Sequence, residues 1–89
     1  MNTIITEYDD LTIYGNDNYE FHRVDGPAVI YSNGDSHYYV NDLLHRIDGP
    51  AVIDDNGNTI SYFLRGREYL KEEYNIEVKK YLRPKYLNE

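Results

Sequence analysis

The segment His22-Arg23-Val24-Asp25-Gly26-Pro27-Ala28-Val29-Ile30 recurs 23 residues later as His45-Arg46-Ile47-Asp48-Gly49-Pro50-Ala51-Val52-Ile53, with eight of nine positions identical. Each copy runs on to an Asn-Gly pair (Asn33-Gly34, Asn56-Gly57), then to an aromatic stretch (Tyr38-Tyr39-Val40, Tyr62-Phe63-Leu64). Each ends at a second turn signal, Asn41-Asp42 or Arg65-Gly66. A unit this short cannot bury its own apolar face, so successive copies must stack on one another.

One unit reads as a β-hairpin. Ala28-Val29-Ile30-Tyr31 and Ala51-Val52-Ile53 are apolar and largely β-branched, and Asn-Gly suits the positive φ angles of a type I′ hairpin turn. The return strands, around His37–Val40 and Ile60–Leu64, carry side chains that fit a pleated surface. Asp-Gly-Pro marks the connection to the next hairpin, with proline at the strand start, where no ladder donor is needed. Residues 1–21 follow the same order with a poorer turn and without the His-Arg block, as terminal repeats often do. Between Glu68 and Leu82 there is no Gly or Pro, and Leu70, Tyr74, Val78 and Tyr81 fall on one helical stripe. Glu72 and Glu73 at its start and Lys79, Lys80 and Arg83 at its end complement the helix dipole, and Pro84 stops it. Ile76 lies off the stripe.

The expected fold is therefore mainly β, an antiparallel meander of about three hairpins and six strands with a C-terminal amphipathic α-helix, forming one domain. Residues 1–21 are a degenerate first hairpin, 22–44 and 45–67 the two full repeats, 68–83 the helix and 84–89 a tail.

Composition narrows the function. The 89 residues contain no cysteine, which removes disulfides and thiolate metal sites. No apolar run suits a membrane span, no signal-peptide pattern opens the chain, and a cytoplasmic location is the expectation. Sixteen acids against nine Lys and Arg give a net charge of −7, which repels nucleic acid and anionic membranes. The charge is uneven: residues 1–64 hold eleven acids and two bases, a net of −9, whereas residues 65–89 hold seven bases and five acids, a net of +2.

The order Leu44-His45-Arg46-Ile47-Asp48-Gly49-Pro50-Ala51-Val52-Ile53, then Asn56-Gly57, then Tyr62-Phe63 resembles the MORN-type repeat. It is especially similar to the His-Arg-x-Asp-Gly-Pro-Ala variant of small bacteriophage and bacterial proteins, in which a tail like Leu64–Glu73 often closes the array. The likeness covers roughly residues 20–75 and departs from the pattern at Asp42, where glycine is usual. It implies a hairpin array; such repeats occur in membrane-associated scaffolds, antitoxin-like proteins and phage products.

His22, His45 and His37 invite a metal or catalytic reading. Equivalent places in successive repeats point the same way rather than converging, so the repeat residues His22, Arg23, Asp25, Gly26 and Pro27, with His45, Arg46, Asp48, Gly49 and Pro50, are read as structural turns in which His and Arg pin the connection and Asp accepts from Arg or from backbone amides. Asp9-Asp10 and Asp54-Asp55 sit at solvated turns, unsuited to the raised pKa of a general acid. No phosphate loop or Ser–His arrangement is present. The expectation is a non-enzymatic protein with neither cofactor nor metal.

Tyrosine-rich strands set among carboxylates suit a protein-binding face, and the candidate contact residues are Tyr31, Asp35, His37, Tyr39, Asp54 and Asp55. Alternation puts His37 and Tyr39 on one face and Tyr38 and Val40 on the other. The leading expectation is an inhibitor whose acidic sheet competes for a basic groove of a host defence nuclease, of the anti-CRISPR or anti-restriction type, which small phage proteins of similar composition block. The partner is then a protein, with no direct binding of nucleic acid or membrane, and open sheet edges permit a homodimer. The alternatives are an antitoxin-like or scaffold module, or lipid or nucleic-acid binding through Lys79, Lys80, Arg83 and Lys85.

Overall fold

The repeat is realised as one antiparallel meander. The computed structural model describes residues 3–82. Its strands are β1 (Ile4–Glu7), β2 (Leu11–Gly15), β3 (Val29–Tyr31), β4 (Ser36–His37), β5 (Tyr39–Val40), β6 (Leu43–Leu44), β7 (Val52–Asp54), β8 (Thr59–Leu64) and β9 (Arg67–Tyr69), followed by α1 (Lys71–Tyr81). A seven-stranded sheet has the order β1-β2-β3-β4-β7-β8-β9, and β5 and β6 form a separate hairpin. Among the described residues there are more strands than six because each return strand changes partner half-way. In the second repeat, Thr59–Ser61 pairs with β7 and Tyr62–Leu64 with β9. In the first, the same change breaks the strand at Tyr38: His37 pairs with Val29 of its own hairpin, whereas Tyr39 pairs with Leu44 of the next.

The turns divide differently from the sequence expectation. The two-residue loops in which both central residues have positive φ are Asn41-Asp42 (50° and 69°) and Arg65-Gly66 (52° and 82°), the geometry that matches strand twist. Asn33-Gly34 instead belongs to a three-residue loop. Gly34 N–H donates to Tyr31 O at 2.9 Å, and only Gly34, at φ 98°, is left-handed. At Asn56-Gly57 both residues do have positive φ, within a longer loop that also turns Asp55 left-handed and is closed by Asn58 N–H to Asp55 O at 3.0 Å.

The helix is shorter than its periodicity suggests. Glu68 and Tyr69 are drawn into β9 by pairing with Phe63 and Tyr62, so α1 starts at Lys71, with Leu70 N–H donating to Glu73 Oε1 at 3.3 Å. Leu70, expected on the buried stripe, is 70% exposed because it precedes the first helical turn. Tyr74 and Val78 are buried with Leu64 against Tyr62 and Tyr69. Pro84, Arg83 and Lys85 lie outside the described residues.

Register and alternation assign the two faces. Tyr14, Ala28, Tyr38, Ala51 and Tyr62 point to one side and carry α1 and the Asp-Gly-Pro blocks; Ile13, Val29, Tyr31, His37, Tyr39, Val52, Asp54 and Phe63 point to the other. Among the described residues every strand belongs to this sheet or to the β5–β6 hairpin, and the thinnest dimension is 17 Å.

Candidate functional site

The covered face is held by the two repeated blocks, and their chemistry is the same in both. Arg23 Nε donates to Asp25 Oδ1 (3.0 Å) and Nη1 to Pro27 O (3.2 Å), with the guanidinium 3.9 Å from the Tyr14 ring centre. Arg46 does the same with Asp48 (2.9 Å), Pro50 O (3.0 Å) and the Tyr38 ring (4.0 Å). A Cβ on Gly26 or Gly49 would stand 2.9 Å from the guanidinium carbon, so glycine is what lets the arginine lie flat between loop and ring. His22 Nδ1 accepts from Asn41 N–H (3.0 Å) and His45 Nδ1 from Arg65 N–H (2.9 Å). Each histidine thus pins the two-residue turn of the following return strand. These side chains are absorbed in joining one repeat to the next.

The open face gathers the candidate contact residues. The rings of Tyr31 and His37 meet edge to face at 5.3 Å, and His37 Nε2 lies 2.9 Å from Asp54 Oδ1 across the β4–β7 pair. Tyr39 meets Phe21 at 5.1 Å. Burial first, then the neighbouring Tyr31 and Asp42, push the Tyr39 hydroxyl above its ordinary pKa. Asp35 Oδ1 accepts from Asp55 N–H at 3.1 Å, and Asp35 O accepts from Tyr31 N–H at 2.9 Å. All six residues therefore form one connected patch, with Asp54 engaged by His37 and Asp35 by the next turn. Phe21 and Asp42 belong to it too. Sequence reasoning missed both, since Phe21 lies outside any full repeat and is held against Tyr39 by Asp42, 21 residues away: Phe21 N–H donates to Asp42 Oδ1 and Asp42 N–H to Phe21 O, each at 2.8 Å. Ser36, beside His37, faces the other side and donates to Gly34 O, so it supplies no nucleophile to the His37–Asp54 pair.

At the end of the sheet next to this patch, three turns lie side by side. The turn after β1 joins the turn after β3 through Ser32 N–H to Asp10 O (2.9 Å), and that turn joins the one after β7 through the Asp35–Asp55 bond. Asp9, Asp10, Asp35, Asp54 and Asp55 thereby form an acidic ridge. With strands about 4.8 Å apart, three hairpin turns span roughly 20 Å. Arg23 and Arg46 sit at the opposite strand ends, tied to their own blocks, and do not neutralise it.

Among the described residues no group of three or more His, Asp or Glu side chains is placed to hold a metal, and no helix is long and apolar enough to cross a membrane. Against family models, curated proteins and solved structures, the chain finds no match.

Proposed function

We propose that the chain is a non-enzymatic inhibitor that binds a basic, nucleic-acid-binding groove of a partner protein, most simply a host defence nuclease of the kind that anti-CRISPR and anti-restriction proteins block. The observation that carries this reading is the acidic ridge. Four carboxylates from three successive turns, joined by Asp54 at the end of β7, which is held by His37, gather at one sheet end beside an aromatic patch, and among the described residues no Lys or Arg pairs with them. A negative ridge steers encounter with a positive groove, and half-buried tyrosines supply the contact area that charge alone lacks. The basic helix end is the second candidate surface, where Lys79 stands beside Lys80, itself 3.1 Å from Glu77.

The test is a DNA-cleavage protection assay with purified nuclease complexes, in which the triple variant Asp35→Asn, Asp54→Asn, Asp55→Asn is compared with the parent. Loss of binding by at least about tenfold, with a parent affinity that weakens as salt rises, is expected. A triple variant that protects as well as the parent would sink the charge-based reading.

A further inference from the structure

The two Asp-Gly-Pro blocks have the same internal bonds and different lids. Over the second block lies Tyr74. Its hydroxyl donates to Arg46 O (2.6 Å), stands 3.0 Å from Gly49 O, and accepts from Gly49 N–H (3.2 Å), while its ring rests on Tyr62 with centres 4.7 Å apart. Over the first block, the corresponding Arg23 O, Gly26 O and Gly26 N–H have no hydrogen-bond partner among the described residues. The covering differs accordingly: Ile47 in the second block is 37% exposed, and its counterpart Val24 is 81% exposed.

Between the blocks is a cavity of 440 Å³ bordered by Arg23, Val24, Gly26, Tyr38, Val40 and Ile47. Tyr38 and Val40 occupy the repeat positions of Tyr62 and Leu64, which flank Tyr74. The size falls within the range of sites that take a small aromatic group. A donor and two acceptors that are unpaired among the described residues, next to an aromatic wall, match a group that both donates and accepts through one atom at the tip of a ring, which among side chains is the phenol of tyrosine.

We infer that this cavity receives a tyrosine side chain of a partner protein, held by the first block as the second block holds Tyr74. Arg46 already lies on the Tyr38 ring, so the incoming ring meets Tyr38 at its edge. At the rim Asp25 and Asp48, both 81% exposed, are each paired with the arginine of their own block (3.0 and 2.9 Å), so the charge that selects a partner is that of the whole chain, a net of −7. The fitting tyrosine is therefore one flanked by basic residues; a second copy of this acidic chain is repelled. The cavity lies on the covered face, and the inference does not rest on the reading of the acidic ridge.

The test is an amide NMR titration of the whole chain with N-acetyl-tyrosinamide and, separately, N-acetyl-phenylalaninamide. The tyrosine analogue is expected to shift the Gly26 amide saturably, with Kd on the order of 1 mM, and to leave Gly49 unmoved; the phenylalanine analogue binds about tenfold more weakly. Absence of a saturable Gly26 shift, or equal binding of the two analogues, overturns the proposal. Acetyl-Lys-Tyr-Lys-amide should bind more tightly than acetyl-Glu-Tyr-Glu-amide, and the reverse order overturns the basic partner. Val40→Phe fills the cavity and should abolish the shift; if that variant does not fold, Val24→Trp at the exposed rim serves instead. In sedimentation, a dimer that either substitution dissociates would give the cavity to a second copy and overturn the assignment to a partner.

Discussion

Tyr74 Oη donates to the Arg46 carbonyl at 2.6 Å and accepts from Gly49 N–H at 3.2 Å, so a single helical side chain closes the last repeat block. Tyr74→Phe keeps the ring on Tyr62 and removes both bonds, leaving the Gly49 amide without its partner. The expected cost is about 1–2 kcal/mol. At about 4–8 °C per kcal/mol for a domain of this size, a clear drop in thermal midpoint follows. A midpoint unchanged from the parent would show that the bonds to the block do not hold the helix.

Within each block the arginine, not its carboxylate partner, does the holding. Asp48 is 81% exposed, so its pairing with Arg46 is worth little in water. The guanidinium also bonds Pro50 O and covers the Tyr38 ring. Asp48→Ala should cost less than about 1 kcal/mol. Arg46→Lys loses the planar fork and the stacking together, and should cost more than Asp48→Ala. Urea denaturation of both variants checks the order, and the reverse order would make the ion pair the main contact.

His45 makes stability depend on pH in a defined direction. Its Nδ1 accepts from Arg65 N–H, which requires the unprotonated nitrogen, and burial followed by the charge of Arg65 lowers its pKa below the ordinary 6.5. The unfolded chain therefore binds a proton that the folded chain resists. Stability is retained above the unfolded pKa and falls as pH drops below about 6.5, until the folded value is passed. Denaturation series between about pH 7.5 and pH 5 should show this loss, and His45→Gln should flatten it relative to the parent. An equal slope in the variant would place the titrating group elsewhere.

What the letters disclosed and what they withheld have a common physical basis. The hairpin unit and the facing of His37 and Tyr39 away from Tyr38 are local consequences of spacing, and the sequence carried them; it left the Asp25 and Asp48 acceptors open between arginine and backbone amides, and the arginines two residues before hold them. The roles of His22 and His45 were hidden because their acceptor nitrogens serve amides 19 and 20 residues downstream. The helix start was misplaced because Glu68 and Tyr69 favour a helix by composition, while Phe63 and Tyr62 offer them strand partners. The acidic pairs were visible as turn residues. Their alignment into a ridge required the order of strands, and so did the bonding of Tyr74 to the second block.

Asp42 shows how a departure from the repeat pattern is itself structural. At φ 69° this residue sits where its counterpart Gly66 (φ 82°) needs no side chain, and glycine would relieve the backbone. The Asp42 carboxylate, however, accepts from Phe21 N–H at 2.8 Å, clamping the degenerate first hairpin to the first full repeat. A charged acceptor of this kind is worth about 1.5–3 kcal/mol, more than the roughly 0.5–1 kcal/mol that glycine returns in conformation. Asp42→Gly should therefore destabilise by about 1 kcal/mol, whereas Asp42→Asn, which retains an acceptor oxygen and tolerates positive φ, should lose less. Amide exchange at Phe21 separates the explanations, since loss of the clamp accelerates exchange there in Asp42→Gly. A stabilised Asp42→Gly with Phe21 still protected would mean that backbone strain, and not the clamp, decides the residue at this turn.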